Sequence, residues 1–447
     1  MARPDAIVIG AGFAGLSAAV RLTALGARVR VIEERRRLGG RATAFSDAAT
    51  GERVDNGQHA LFGCYHETFS FLEAIGARDR VRLERVLDLQ IVDAASARSR
   101  LTAAALPAPF HLAGGLLGWR AIGWGDRLAA VRLGLRLRRE ARRDAGGLEP
   151  DPQWSQRTVD EWLIANGQTR RLRELLWEPL AVAALNQSPA VAAAAPFVRV
   201  ASRLLGGSPR DAAIGLPATA LDEMYATPAS QWIEHHGGRV SLGRPARLVA
   251  IGSDRVAVEL EGERLEAPVV ISSVPWFAFP ALAAATPALA ATARLAGQMA
   301  SSPIVTVNFW LDRPVTDVAF VGLPGRVFQW IFDKARLVGG AQSHLSLISS
   351  GADELVGWSN ARLIAHAREE LTAALPEAGR ATILGAVAVR EKRATFSLAP
   401  GQPARPGPTT PVTGLLLAGD WTETGLPATI EGAVVSGHRA AEHAVRS

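Results

Sequence analysis

The chain's 447 residues are too many for one ordinary small domain and enough for two packed domains around a large core. With 48% hydrophobic and 21% charged residues it is not a disordered chain, and its single cysteine, Cys64, excludes an internal disulfide and a paired-cysteine redox or zinc site. The net charge of +6 comes almost wholly from arginine, since the only lysines are Lys334 and Lys392. An anionic membrane face suits such a surface. Nucleic acid does not, because the arginines do not interleave with aromatics along a strand or a groove-reading helix.

The first apolar run starts at residue 6 and ends in a glycine loop, so no secretory signal is expected ahead of it. A cytoplasmic location follows as an expectation, which the lone thiol also favours. Residues 6–9 read as a buried strand, followed at once by Gly10, Ala11, Gly12, Phe13, Ala14 and Gly15 and then by the helical pattern 16–25. This is GxGxxG in the context that gives it meaning. Gly10 permits the tight turn, Gly12 lets the backbone approach a pyrophosphate, and Gly15 lets the helix pack on the strand. A second strand at 28–32 ends at Glu33, with Glu34 beside it. A carboxylate there can accept both ribose hydroxyls of an adenosine and disfavours a 2′-phosphate. Next come Gly39, Gly40 and Arg41, where paired glycines expose amides and the arginine adds positive charge for a pyrophosphate.

A short apolar strand at 415–418 leads into Gly419, Asp420 and Trp421, and a helical stretch runs from Thr429. Asp420 can accept a hydrogen bond from a ribityl hydroxyl, and amides near Thr429 and Ile430 can face the pyrimidine end of a flavin. NAD has neither group, so the two chain ends together point to FAD. The expected fold class is α/β. Residues 1–62, 229–278 and 411–447 would form a discontinuous Rossmann-like FAD-binding domain, and 63–228 with 279–410 a mixed α+β substrate-binding domain. Strands are expected at 239–246, 255–260 and 269–272, and in a second sheet at 304–311, 327–332 and 344–349; region 63–228 reads as mostly helical.

Between 101 and 119 no Asp, Glu, Lys or Arg occurs, yet Pro107, Pro109 and glycines at 114, 115 and 118 interrupt any long helix. This stretch could line an apolar tunnel or dip into a membrane face. It is followed at 127–143 by seven arginines, of which Arg132, Arg136, Arg139 and Arg143 share one helical stripe. A solvated helix over the core is the competing reading of that stripe.

The double-glycine–arginine element resembles its counterpart in the amine oxidase and phytoene desaturase group of flavoproteins. The segment from Asp55 to His59, the stretch 106–112 and the run 418–433 make the whole chain similar to the hydroxysqualene dehydroxylase family, as do the blocks 329–334 and 390–396. The resemblance implies an FAD-dependent reductive removal of hydroxyl from a long-chain isoprenoid, hydroxysqualene, within bacterial hopanoid synthesis. It also implies that the backbone of Ala246 meets the adenine. For such an alcohol, protonation of the hydroxyl would precede loss of water and capture of hydride. His59 and Asp55 are the candidate catalytic residues, Glu423 and Glu431 compete for the acid role, and Trp421 is expected to pack on the flavin ring. No metal is expected, and the sequence leaves electron donor and oligomeric state open. Three alternatives stand beside this reading. A carotenoid-type desaturase would share the fold, an amine oxidase commonly needs more tyrosine than Tyr65 and Tyr225 offer, and a lipid-escort protein would lack flavin.

Overall fold

Five parallel strands organise the computed structural model, which describes residues 3–48, 50–145, 151–251, 255–340 and 343–446. Across the sheet they run Arg239–Ser241, Val29–Ile32, Ala6–Ile9, Val269–Ser272 and Leu415–Leu417. In chain order this is 3-2-1-4-5, so the winding reverses beside Ala6–Ile9, and the crevice at the carboxyl ends of the strands there is where a dinucleotide binds. The strands are apolar because both faces are covered, one by helices and the other by the antiparallel strands Arg255–Leu260 and Glu263–Ala267; Ile7, Val8, Val31, Val270 and Ile271 are fully buried. One covering pair is Phe13–Ala24 with the C-terminal helix Ile430–Arg446. Gly437 permits their contact, since a Cβ there would stand 2.3 Å from Ala14 O and from Ser17 Oγ.

The architecture is α/β, as expected, with one strand redrawn. The stretch 239–246 is not a single strand: Arg239–Ser241 is the edge of the parallel sheet, and Ala246–Ile251 opens an antiparallel meander with Arg255–Leu260 and Glu263–Ala267.

A second, seven-stranded sheet runs Ile383–Phe396, Ser301–Leu311, Ser343–Ser350, Trp330–Asp333, Phe320–Gly322, Asp88–Val92 and Arg98–Thr102. Three of its strands, Ser301–Leu311, Trp330–Asp333 and Ser343–Ser350, fall where strands were expected. Asp88–Val92 and Arg98–Thr102 come from the region read as mostly helical; their polar, half-exposed sequences hide the alternation. The glycines at 114 and 115 do not break the helix Phe110–Gly118. Gly115 instead brings it close to the sheet, for a Cβ there would lie 2.6 Å from Thr102 O.

Candidate functional site

The N-terminal loop is shaped for an anion. Gly10 has φ +106°, and a Cβ on Gly15 would lie 2.0 Å from Gly10 O, so neither position takes a side chain without strain. Gly12 differs. A Cβ there would meet nothing of the protein nearer than Gly40 Cα at 3.9 Å, so the space beside it is open. No side chain caps the helix that begins at Phe13, and its first amides are left for a ligand. Gly39 and Gly40, at φ +98° and +59°, close the loop from the other side, and the Gly39 amide donates to Ala11 O at 2.9 Å. Behind them Tyr225 stacks on Phe13 and its hydroxyl donates to Gly39 O at 2.7 Å, fixing the two loops together.

Glu33 ends the second strand with its carboxylate held by the amides of Ala11, at 2.8 Å, and Arg35, at 2.9 Å. Ala11, Gly12, Phe13, Ala14, Glu33, Glu34, Gly39, Gly40, Arg41 and Ala246 line one large cavity with Gly10, while Gly15 lies behind the loop. From the far end of the chain Gly419, Asp420, Thr429 and Ile430 line the same cavity. Gly419, at φ +136°, donates its amide to Ser436 Oγ at 2.7 Å, which anchors the turn to the C-terminal helix. Arg41 joins the two halves: it donates to Asp420 Oδ1 at 2.6 Å and to Ala394 O at 2.7 Å.

The cavity measures about 1010 Å³, at the upper end of small-molecule sites. Beyond the dinucleotide end one side of its wall is apolar. Phe320, Trp330 and Phe332 pack on one another there, with Ile214, Ile304 and Ile348 beside them. Open space at Gly12, uncapped amides, an anchored carboxylate and an arginine–aspartate pair fit a dinucleotide carrying a second, ring-bearing half.

The expected acid residues fare differently. His59 lies on the cavity wall, half-buried. Its Nδ1 meets Gly57 O at 2.9 Å and therefore carries the ring proton, while burial lowers its pKa. The neutral ring thus offers Nε2 as an acceptor and makes a poor proton donor. Asp55 is not on the wall. It is buried, accepting from Lys334 Nζ at 2.5 Å and from the Leu221 amide at 3.1 Å, so its carboxylate is spent on the protein and out of reach. Glu423 pairs with Arg405 away from the cavity. Glu431 is tied to Thr68 and the Glu67 amide; burial pushes its pKa up, yet it faces a different cavity. Trp421 does not touch the cavity either. It packs on Phe279 in the core and donates to Val274 O, because it points the opposite way from Asp420.

The family of flavin containing amine oxidoreductases matches residues 13–445 of this chain. Hydroxysqualene dehydroxylase of Rhodopseudomonas palustris is 33% identical over 97% of each chain. The chain belongs to the flavin containing amine oxidoreductase family, in its hydroxysqualene dehydroxylase branch. It is an FAD-dependent oxidoreductase, and the cradle described above fits that cofactor. A 15-cis-phytoene desaturase from an Oncidium hybrid is 24% identical over 99% of this chain and 78% of its own. Putrescine oxidase bound to putrescine, at 18% identity and a TM-score of 0.75 over the full length of both chains, shares the fold.

Two side chains of this dehydroxylase-branch flavoprotein escaped the reading of single motifs. Lys334 is a buried cation that donates to Gln58 Oε1 at 2.7 Å as well as to Asp55. Glu391 stands on the cavity wall and accepts from Asn56 Nδ2 at 2.9 Å. Both sit in blocks quoted above for the family resemblance, but nothing in their spacing sets them against residues 55–59.

Proposed function

We propose that this flavoprotein reductively removes the hydroxyl of hydroxysqualene to give squalene, as a step of hopanoid synthesis. The observation that carries the reading is the single cavity whose dinucleotide cradle runs into the aromatic and aliphatic wall of Phe320, Trp330 and Phe332. A relative named for this activity, alike along its whole length, supports it. In this reading Gly12, Gly40 and the amides after Phe13 hold the pyrophosphate, Glu33 the adenosine ribose, Asp420 the ribityl chain, and Thr429 with Ile430 the pyrimidine end. The FAD-binding part comprises 1–62, 229–278 and 411–447, and the substrate part 63–228 and 279–410. Bound FAD, when reduced, supplies hydride.

The chain's own residues have three tasks. The apolar wall excludes water and seats the hydrocarbon; the faces of its three rings favour a delocalised cation by about 0.5–2 kcal/mol each. His59 Nε2 accepts a hydrogen bond from the substrate hydroxyl. A proton must then reach the leaving oxygen, because hydroxide leaving an allylic carbon in an apolar cavity is too costly.

A substrate that dissolves in lipid is collected from a membrane. No helix among the described residues is long and apolar enough to cross one. The helix Trp124–Ala145 buries Leu133 and Leu137 and turns Leu128, Leu135, Arg132, Arg136, Arg139 and Arg143 outward, beside exposed Leu106, Phe110 and Trp124. We assign this surface to the cytoplasmic face of an anionic bilayer.

The second reading, desaturation of a phytoene-like isoprenoid in the oxidative direction, draws on the phytoene desaturase likeness. Amine oxidation has less support, since Tyr225 is buried under the phosphate loop and leaves Tyr65 as the single tyrosine on the wall. Anaerobic incubation of the reduced holoenzyme with hydroxysqualene, and of the oxidised holoenzyme with phytoene, tests both. Squalene from the first and no desaturated product from the second is expected. The opposite outcome replaces the first reading by the second, and a purified protein that never retains FAD would make it a lipid carrier.

A further inference from the structure

Four carboxylates line the cavity among the described residues, and three of them lie at its dinucleotide end. Glu33 and Glu34 follow the second strand, and Asp420 is paired with Arg41. The fourth is Glu391, on the long strand Ile383–Phe396 of the other sheet. Its register partner is Ile304, which belongs to the apolar wall. Its Oε2 accepts from Asn56 Nδ2 at 2.9 Å and its Oε1 from the Arg393 amide at 3.2 Å. Asn56 is itself fixed by donating to Arg41 O at 3.0 Å, and the next residue, Gly57, packs against the same Ile304, a Cβ there standing 3.9 Å from its Cγ2. Glu391 therefore sits where three things meet: the hydrocarbon wall, the turn that carries His59, and the arginine that joins the halves of the FAD cradle.

We propose that Glu391 is the general acid that delivers a proton to the hydroxyl of the substrate. The assignment rests on the dehydroxylase reading. Each carboxyl oxygen spends one acceptor position on the protein, so a protonated Glu391 keeps both bonds while its O–H points into the cavity. The proton forms a bond to the substrate oxygen, the C–O bond breaks with its electron pair going to that oxygen, and water leaves. The carbon is closed by hydride of reduced-flavin origin, and the Glu391 carboxylate regains a proton from solvent at the open side of the cavity. No other group on the wall does this as well. His59 is neutral with its one proton committed to Gly57 O, and Asp55, Glu423 and Glu431 do not face the cavity.

The test separates proton delivery from structure by changing the leaving group. E391Q and E391D are made in the holoenzyme and compared with the parent on hydroxysqualene and on its allylic acetate, whose leaving group departs as a weak base. FAD content and the change in the oxidised flavin spectrum on adding squalene are read in parallel. We expect E391Q to lose about 10²- to 10⁴-fold on the alcohol, the range for removal of a general acid. On the acetate it should stay within about tenfold of the parent, with FAD content and the squalene-induced spectral change unaltered; E391D should keep part of the alcohol rate. Near-parental turnover of the alcohol by E391Q overturns the assignment. So does an equal loss on both substrates, or loss of FAD from both variants. If the parent itself yields no squalene from hydroxysqualene, the dehydroxylase reading fails instead.

Discussion

Arg41 and Asp420, separated by 379 positions, are joined by a 2.6 Å hydrogen-bonded ion pair between Nη2 and Oδ1. The pair is how the two ends of the chain become one cofactor site. The same guanidinium also holds Ala394 O, so it fixes the long strand that carries Glu391. Removing Asp420 should therefore weaken flavin binding through loss of the proposed ribityl contact and through a misplaced Arg41. For Asp420→Ala we expect a loss of about 1.5–3 kcal/mol in flavin affinity, the value of a charge-assisted hydrogen bond. A flavin titration of the deflavinated protein checks it; unchanged affinity would leave the pair a purely structural clasp.

Gly12 offers a cleaner separation of fold from cofactor. A Cβ there meets no protein atom nearer than Gly40 Cα at 3.9 Å, and its φ of −90° suits any residue. Gly12→Val should fold with stability close to that of the apo parent and yet purify colourless, because the branched side chain occupies the phosphate position. Normal flavin absorbance in that variant would sink the phosphate-loop assignment.

These two sites were legible in the sequence, for a physical reason. A tight turn with positive φ at Gly10 and a helix–strand contact at Gly15 admit only glycine, so the loop writes its geometry directly into residue identity. Strand and helix periodicity then place Glu33 and Asp420. Glu391 and Lys334 had no such signature. Glu391 reaches the cavity through the register of Ile383–Phe396 on Ser301–Leu311, and Lys334 finds Asp55 across 279 positions. Both are tertiary facts about polar residues, one within a strand and one opening the short helix Lys334–Val338, where neither type is diagnostic. Trp421 misleads for a related reason: it is adjacent to Asp420 in sequence and opposite to it in direction.

The Asp55–Lys334 pair is buried, with side chains 5% and 4% exposed. Breaking such a pair leaves an uncompensated charge and costs about 3–5 kcal/mol, whereas removing both partners costs much less. Lys334→Met alone should lower the denaturation midpoint sharply, and Asp55→Asn with Lys334→Met should recover most of the loss. If the double variant is no more stable than the single one, the pair's value lies in its hydrogen bonds to Gln58 and Leu221 and not in its charges.

His344 adds a pH term. Burial, and secondarily the charge of Lys334, pull its pKa down from 6.5 to about 4, while its Nε2 lies 3.0 Å from Asn308 Oδ1 and its ring stacks on Trp310. A base with a depressed folded-state pKa is protonated first in the unfolded chain, so its contribution to stability is present at neutral pH and declines as pH falls from about 6.5 towards about 4. Between about pH 7 and about pH 5 this amounts to about 2 kcal/mol. Urea denaturation at the two pH values should show a smaller decline for His344→Gln than for the parent by roughly that amount. An equal decline would assign the acid sensitivity to other groups.

The proposed membrane surface can be separated from the cofactor site, because none of its named residues lines the cavity. Phe110 and Trp124 are 62% and 67% exposed, and Leu128 and Leu135 are also exposed beside the arginine stripe. Large apolar side chains exposed at one edge of a cationic helix fit the proposed lipid surface. The charges and the apolar anchors should contribute in different ways. Each well-placed arginine adds up to about 1 kcal/mol on anionic lipid and is screened by salt, while the anchors act through buried apolar area and are not. Replacing Arg132, Arg136, Arg139 and Arg143 by glutamine should reduce sedimentation with anionic liposomes at low salt and leave bound FAD intact. Phe110→Ser with Trp124→Ser should reduce it at every salt concentration. Arg136 is the least free of the four, since it donates to Asn166 Oδ1 at 2.6 Å, and its replacement alone should matter least. If both sets of variants sediment like the parent, the helix is a solvated cover over the core and the hydrocarbon enters the cavity by another route.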